Sequence, residues 1–279
     1  MLYFTGIICT ECLISNTESG MTTYNFTACV FRGVKHQRGL KMDTQEMSSL
    51  FSLGAGEYDR YRRRVIPNFD QFYGTALQAV PFDANEAIKI ADLGAGTGIL
   101  SFMLAMRFPQ SDLTLIDVTH DMLEEARKKF RNASNVRYEI KDYAFEDLAC
   151  DYDLIVSAMS IHHLDHDSQY DLYARIFDRL RPGGAFINAD LVKGSSESID
   201  RMYRDSWLGF IRNSGLKDSH IERIMERMRL DQPSPLFDQI SWLNSIGYTD
   251  ADCFYKYFNF AVVSGRKPFS TSTHKRVTS

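Results

Sequence analysis

An α/β domain with a parallel sheet and helices on both faces is predicted by three observations. Apolar, strand-length runs alternate with helix-period segments from Ile88 to Val192, the order that β–α–β units produce. A glycine-rich turn, Gly94-Ala-Gly-Thr-Gly98, ends the first of these strands and opens a helix. Turn formers separate the later segments, most plainly Arg181-Pro-Gly-Gly184, and such residues punctuate rather than extend regular structure.

The chain of 279 residues accommodates one domain of about 200–250 residues and an extra segment. Hydrophobic residues make up 44% and charged residues 24%, an ordinary balance for a soluble globular enzyme. The net charge of −4, from 32 basic and 36 acidic residues, gives no nucleic-acid footprint. No apolar run approaches the ~20 residues of a membrane helix. Five cysteines are too few for a disulfide framework and point to a reducing cytoplasm. A monomer or a homodimer is expected.

Residues 1–45 read as a poorly ordered extension without the basic start and cleavage site of a signal peptide. Cys9, Cys12, Cys29 and His36 invite a zinc reading, but only the Cys9/Cys12 spacing fits, and no metal is expected. The regular pattern begins just after Met42 and Met47, either of which is a candidate natural start. Residues 46–268 form the expected domain, and 269–279 a flexible tail.

Ser48 to Tyr73 mixes aromatics with Arg60, Arg62, Arg63 and Arg64. Pro67 splits it into two short helices. One reading is an amphipathic cover with a solvated arginine face. The other is a flap in which Tyr58 and Arg63 reach a ligand carboxylate, for which a planar guanidinium is suited. Asn68–Ala79 continues as a helix. The core then runs through a strand at Ile88–Leu93, a helix at Ile99–Arg107, a strand at Asp112–Val118 and a helix at Asp121–Arg131. Strands at Val136–Asp142 and Tyr152–Ala158, a helix at Asp167–Leu180 and a strand at Ala185–Val192 complete it.

The glycine turn narrows the ligand. Its glycines fall as Gly-x-Gly-x-Gly, not as the dinucleotide pattern Gly-x-Gly-x-x-Gly, and no phosphate-loop Lys-Ser/Thr follows. Asp92, two residues before Gly94, opposes a pyrophosphate and suits an ammonium group. Asp117 ends the second strand, 19 residues after Gly98, where a carboxylate can accept ribose hydroxyls. A ribose, an ammonium-bearing tail and no phosphate describe S-adenosylmethionine.

The ordered set Ile90-Ala-Asp-Leu-Gly-Ala-Gly-Thr-Gly98, Leu115-Ile-Asp117, Lys141-Asp-Tyr143, Tyr152-Asp-Leu-Ile-Val-Ser-Ala158 and Leu180-Arg-Pro-Gly-Gly184 resembles class I S-adenosylmethionine-dependent methyltransferases. The resemblance covers about Tyr58 to Lys267. It implies a Rossmann-like seven-stranded sheet ending in a reversed hairpin, here Thr249–Lys256 and Tyr257–Gly265. It implies Asp92, Gly94 and Gly96 around the methionine part of the donor, Asp117 on the ribose, Val118 against the adenine, and Asp142 with Tyr143 at the adenine edge, with Met122 a further donor-binding candidate. Ser157 or Ala158 would line the space under the sulfonium. A turn or cap role is the alternative for Asp142.

Three histidines follow the fourth strand in Ser160-Ile-His162-His163-Leu-Asp-His166 and invite a metal reading through His162 and His166 at i and i+4, but no matched carboxylate–histidine motif completes a set and no metal is expected there. His162 is a candidate general base or a pocket wall. His163 is a candidate substrate contact, and Asp190 at the end of the fifth strand a candidate catalytic carboxylate. The insertion at 196–232 carries Tyr203, Trp207, Phe210 and Ile211 at helical spacing, which fits core packing or a lid over a small acceptor. Tyr203, Trp207 and Arg212 are the substrate-side candidates, with Arg204 a further cation. Phe210-Ile-Arg-Asn-Ser-Gly215 and Tyr257-Phe-Asn-Phe260 are similar to carboxy-S-adenosylmethionine synthases, which use prephenate to modify the donor itself. Leu216 stands where that resemblance calls for tyrosine, and Ala95 and Thr97 look like an ordinary methyltransferase turn.

In-line methyl transfer to a small molecule is therefore the expected function. The alternatives are a carboxy-S-adenosylmethionine synthase-like enzyme and a non-catalytic S-adenosylmethionine-binding regulator. No Asn/Asp-Pro-Pro-Tyr/Phe motif of nucleic-acid methylation follows the fourth strand, where Ser157-Ala-Met-Ser160 stands.

Overall fold

The computed structural model describes residues 55–269. The expectations for residues 1–45 and for the end of the tail lie outside them. Two short helices, α1 (Ala55–Val65) and α2 (Phe69–Gln78), precede the sheet. The break between them falls at Pro67 and at Asn68, which takes a left-handed φ of 51°. The core follows as β1 (Lys89–Leu93), α3 (Ile99–Arg107), β2 (Asp112–Asp117), α4 (His120–Lys129), β3 (Val136–Ile140) and β4 (Tyr152–Ala158). After a single 3₁₀ turn at Ile161–His163 come α5 (His166–Arg179) and β5 (Leu180–Leu191). The insertion forms α6 (Glu197–Arg212) and α7 (Asp218–Arg227), and the chain closes with α8 (Leu236–Ile246), β6 (Thr249–Tyr257) and β7 (Phe260–Arg266).

The seven strands lie in the order β3-β2-β1-β4-β5-β7-β6. β1 to β5 pair in parallel, while β7 runs antiparallel to both β5 and β6. Side chains alternate between two cores. Ile90, Leu154, Val156 and Ile187 pack with Leu104, Phe108 and Phe72 on one face. Ala91, Leu93, Ile155 and Phe186 pack with Leu172, Tyr173 and Leu243 on the other. Burial on both faces explains why these strands read as continuous apolar runs.

The Arg181-Pro-Gly-Gly184 breaker does not precede the fifth strand as expected; it sits inside it. The register against β4 shifts between Tyr152 and Leu154, so the turn formers make a bulge in a longer strand. A Cβ on Gly184 would lie 2.9 Å from the Arg181 carbonyl and 3.0 Å from that of Asp153, so this crowded position takes only glycine.

No described helix is long and apolar enough to cross a membrane. The insertion supports α1. The Trp207 indole, buried on α6, donates to the Val65 carbonyl at 2.8 Å. The other end of α1 is fastened to the glycine turn. Asp59 accepts from the Thr97 hydroxyl and ion-pairs with Lys129, which also donates to the Thr97 carbonyl.

Candidate active site

A cleft opens at the carboxyl ends of β1, β2 and β4, the usual ligand position in such sheets. Arg62 of α1 and Tyr73 of α2 contribute to its lining. Its first wall is the glycine turn. Gly94 has φ 67°, and a Cβ there would lie 1.8 Å from the Ser160 hydroxyl, so the turn and the β4 loop touch only because this residue has no side chain. The Gly94 and Ala95 amides donate to the Ile116 carbonyl at 2.8 and 3.0 Å, joining the turn to β2.

Two carboxylates stand beside that turn. Asp117 accepts from the Gly96 amide and the Thr119 amide, both at 2.8 Å. Burial pushes its pKa up. Asp92 is 2% exposed. One of its oxygens accepts from Ser101 at 2.5 Å, while Oδ1 has no hydrogen-bond partner among the described residues. Burial, opposed by the Ser101 hydrogen bond, lifts this carboxyl to about 7. Further along, Asp142 accepts from the Ala144 amide at 3.0 Å and also lines the cleft, so the turn role and the cleft position coexist. The Tyr143 hydroxyl meets Ser160 Oγ at 2.6 Å. Val118 and Met122 complete this side.

The far wall comes from the β4 loop and the start of α5: Ala158, Met159, Ser160, His163, Leu164 and Asp165. Met159 takes a left-handed φ of 54°, a conformation costing an L-residue about 1–2 kcal/mol, and strain of this kind gathers at functional sites. Asp165 also caps α5, accepting from the Ser168 amide at 2.8 Å.

A family model described as a methyltransferase domain matches residues 90–184, the segment that carries the glycine turn, Asp117, Asp142 and the β4 loop. This match and the related proteins support a class I S-adenosylmethionine-dependent methyltransferase. Among related proteins, malonyl-[acyl-carrier protein] O-methyltransferase 2 of Ilyobacter polytropus is 27% identical over 52% of this chain and 54% of its own. The chain thus spans about half the length of that relative. Carboxy-S-adenosyl-L-methionine synthase of Shewanella amazonensis is 25% identical over 74% of this chain and 87% of its own. A phosphoethanolamine N-methyltransferase 2 of Haemonchus contortus, solved with phosphomonomethylethanolamine and S-adenosylhomocysteine, shares the fold. Its TM-score is 0.58 at 15% identity, over 81% of this chain and 60% of that one.

The methyltransferase domain gathers most of the donor-side candidates and disperses the others. Asp92, Gly94, Gly96, Asp117, Val118, Met122, Asp142 and Tyr143 all line the cleft, as does His163. Arg63 does not. It is exposed, pairs with Asp70 at 2.6 Å and covers the Phe69 ring, while its neighbour Arg62 lines the cleft. One residue turns a helix by about 100°. Tyr58 lies on α1, and its side chain is outside the described residues. Ser157 is fully buried and donates to the Leu93 carbonyl at 2.8 Å, leaving the wall to Ala158.

His162 departs furthest from expectation. It is buried and does not line the cleft. Its Nδ1 lies 2.5 Å from Asp190 Oδ1, its backbone amide donates to Asp190 Oδ2 at 3.0 Å, and its Nε2 lies 3.4 Å from Asp231. Burial alone would lower its pKa, but the two carboxylates outweigh that and raise it to about 10. A buried ring held between two carboxylates and set off the cleft is not placed to take a proton from an acceptor. Asp190 likewise sits off the cleft, orienting this imidazole.

The insertion departs too: no residue of 196–230 lines the cleft. Arg212 and Arg204 are exposed. Tyr203 packs against Lys256 and Phe258, and Trp207 against α1. Sequence reasoning missed Arg62, Tyr73, Ser160 as a donor-turn neighbour, and Asp231.

Proposed function

We propose that this chain transfers a methyl group from S-adenosylmethionine to a small, neutral or cationic acceptor. The unpartnered Asp92 oxygen carries the reading. An unsatisfied buried polar atom costs about 1–3 kcal/mol, and more for a charge. An ammonium group supplies the missing donor and favours the ionised carboxyl. Arg62 suits the carboxylate of the same amino-acid tail. Asp117 keeps lone pairs beyond its two backbone bonds and suits ribose hydroxyls. Asp142, Tyr143, Val118 and Met122 suit an adenine.

S-adenosylmethionine supplies an electrophilic methyl group on a sulfonium. The protein's part is alignment, worth about 7–11 kcal/mol when reactants are held in line. Ala158, Ser160, His163 and Asp165 form the surface against which an acceptor lies. Of the described charged residues lining the cleft, Asp92, Asp117, Asp142 and Asp165 are acidic and Arg62 is basic. That balance disfavours an anionic acceptor.

The carboxy-S-adenosylmethionine synthase reading draws on the longer relative, matched over 74% of this chain. It needs a cation for a second carboxylate, and Arg212 is exposed away from the cleft. Calorimetry with S-adenosylmethionine and with a nicotinamide dinucleotide tests the donor: one-site binding of the first alone is expected, and the reverse overturns the reading. Mass spectrometry of co-purified ligand separates the two donors. Release of S-adenosylhomocysteine with a panel of phenols, amines and carboxylates tests the acceptor, and turnover of carboxylates alone contradicts the proposed class.

A further inference from the structure

We propose that His162, His163 and Asp231 form a binding site for a divalent transition-metal ion of the zinc type at the wall of the cleft. The ligand atoms of these residues all lie within 4.8 Å of one another. His162 Nε2 is 3.4 Å from Asp231 Oδ1, and His163 Nδ1 is 3.2 Å from that same oxygen. Both separations are long for charge-assisted hydrogen bonds, which close to about 2.7–2.9 Å. They match the ligand–ligand edge of about 3.3 Å in a tetrahedron with bonds near 2.0–2.1 Å. Two imidazoles and one carboxylate suit zinc, cobalt or iron(II) rather than the harder magnesium or calcium.

The surroundings are those of a built site. Asp190 Oδ1 lies 2.5 Å from His162 Nδ1, the outer carboxylate that fixes a ligating imidazole and leaves Nε2 for the ion. Asp231 is held in place by its neighbour, whose amide donates to the His162 carbonyl at 2.7 Å. The Gln169 side chain donates to both the Leu164 carbonyl (2.7 Å) and the Gln232 carbonyl (2.8 Å), tying the two loops together. Two buried carboxylates converge on one imidazole, and a divalent ion balances a pair that a single proton does not. Because His163 also lines the cleft, an oxygen or nitrogen of the acceptor can complete the ion's shell.

The full-length, tag-free protein, stripped with chelator and titrated with Co²⁺, tests this. One equivalent should bind, with the intense visible bands of four- or five-coordinate cobalt and without the near-ultraviolet band of cobalt–thiolate bonds, which would betray the N-terminal cysteines. Zn²⁺ should displace it. Asp231→Asn and His163→Ala should abolish the bands, and Asp190→Asn should weaken binding about 10–100-fold. Failure of metal-free wild type to take up Co²⁺, or thiolate bands alone, overturns the proposal whatever the variants do. So do unchanged bands in folded Asp231→Asn. Calorimetry with S-adenosylmethionine on the metal-free sample reports the donor site separately, so the failure of one reading is distinguishable from that of the other.

Discussion

The two walls of the cleft are built in different ways. The donor wall, where the donor is proposed to sit, is a run of chain: Asp92 to Gly98 in one turn, with Asp117 and Asp142 at the ends of the next two strands. Backbone amides and buried carboxylates make it, and its shape follows from the sheet. The far wall joins the β4 loop to Asp231, more than 60 residues away. The first wall tolerates little change because its contacts are backbone contacts. The second is assembled from side chains, each replaceable, which suits a fold in which the donor is constant and the acceptor differs.

The sharpest way to break the donor wall is Gly94→Ala. A methyl group at that φ meets Ser160 Oγ at 1.8 Å, so the turn or the β4 loop must move. Binding of S-adenosylmethionine in calorimetry should fall by more than about 100-fold, since the steric conflict adds to the ~1–2 kcal/mol backbone cost. Asp92→Asn comes next and has two readouts. Its donor affinity should drop about tenfold or more, as expected for a lost charge-assisted bond. Its thermal stability should change in the opposite direction. Burial lifts Asp92 from an ordinary 3.8 to about 7. A raised carboxyl stabilises the fold while protonated, fully below its ordinary value, and that contribution is lost as pH rises through about 7. The free variant should therefore melt above wild type at pH 8, with the gap closing toward pH 4.

Smaller effects sharpen the comparison. Arg62→Ala should weaken the donor about 10-fold, the scale of one charged hydrogen bond. Arg63→Ala should leave affinity within about twofold, because its partner Asp70 is on the surface. Trp207→Phe removes only the hydrogen bond to Val65 and should lower stability by about 1 kcal/mol in a denaturant titration. Arg212→Ala should leave turnover unchanged in a methyl-transfer assay.

What the sequence made legible followed this division. The glycine-turn wall is a local pattern at strand ends, where β–α alternation places clefts, so it was readable by position that Asp92, Gly94, Asp117, Asp142 and Tyr143 share one cleft. Arg62 and Arg63 were not separable, because the run Arg62–Arg64 gives no apolar residue to set the helix phase. Ser157 and Ala158 differ only in which face of β4 they occupy. His162 and His163 looked alike until Asp190 and Asp231 fixed them, and nothing near Asp231 marks it as a partner of a loop so far upstream. The insertion showed apolar helical spacing, which says that a face is buried but not against what. It lies against α1.

Fastening α1 to Thr97 has a consequence for time. The helix bearing Arg62 is tied, through Asp59 and Lys129, to the turn on which the donor is proposed to sit. Unfastening that helix and letting the spent donor leave then become one event. The Asp59–Lys129 ion pair in that fastening is partly exposed, so added salt screens it. Product dissociation followed by stopped flow should therefore quicken with ionic strength, while the bond-making step does not.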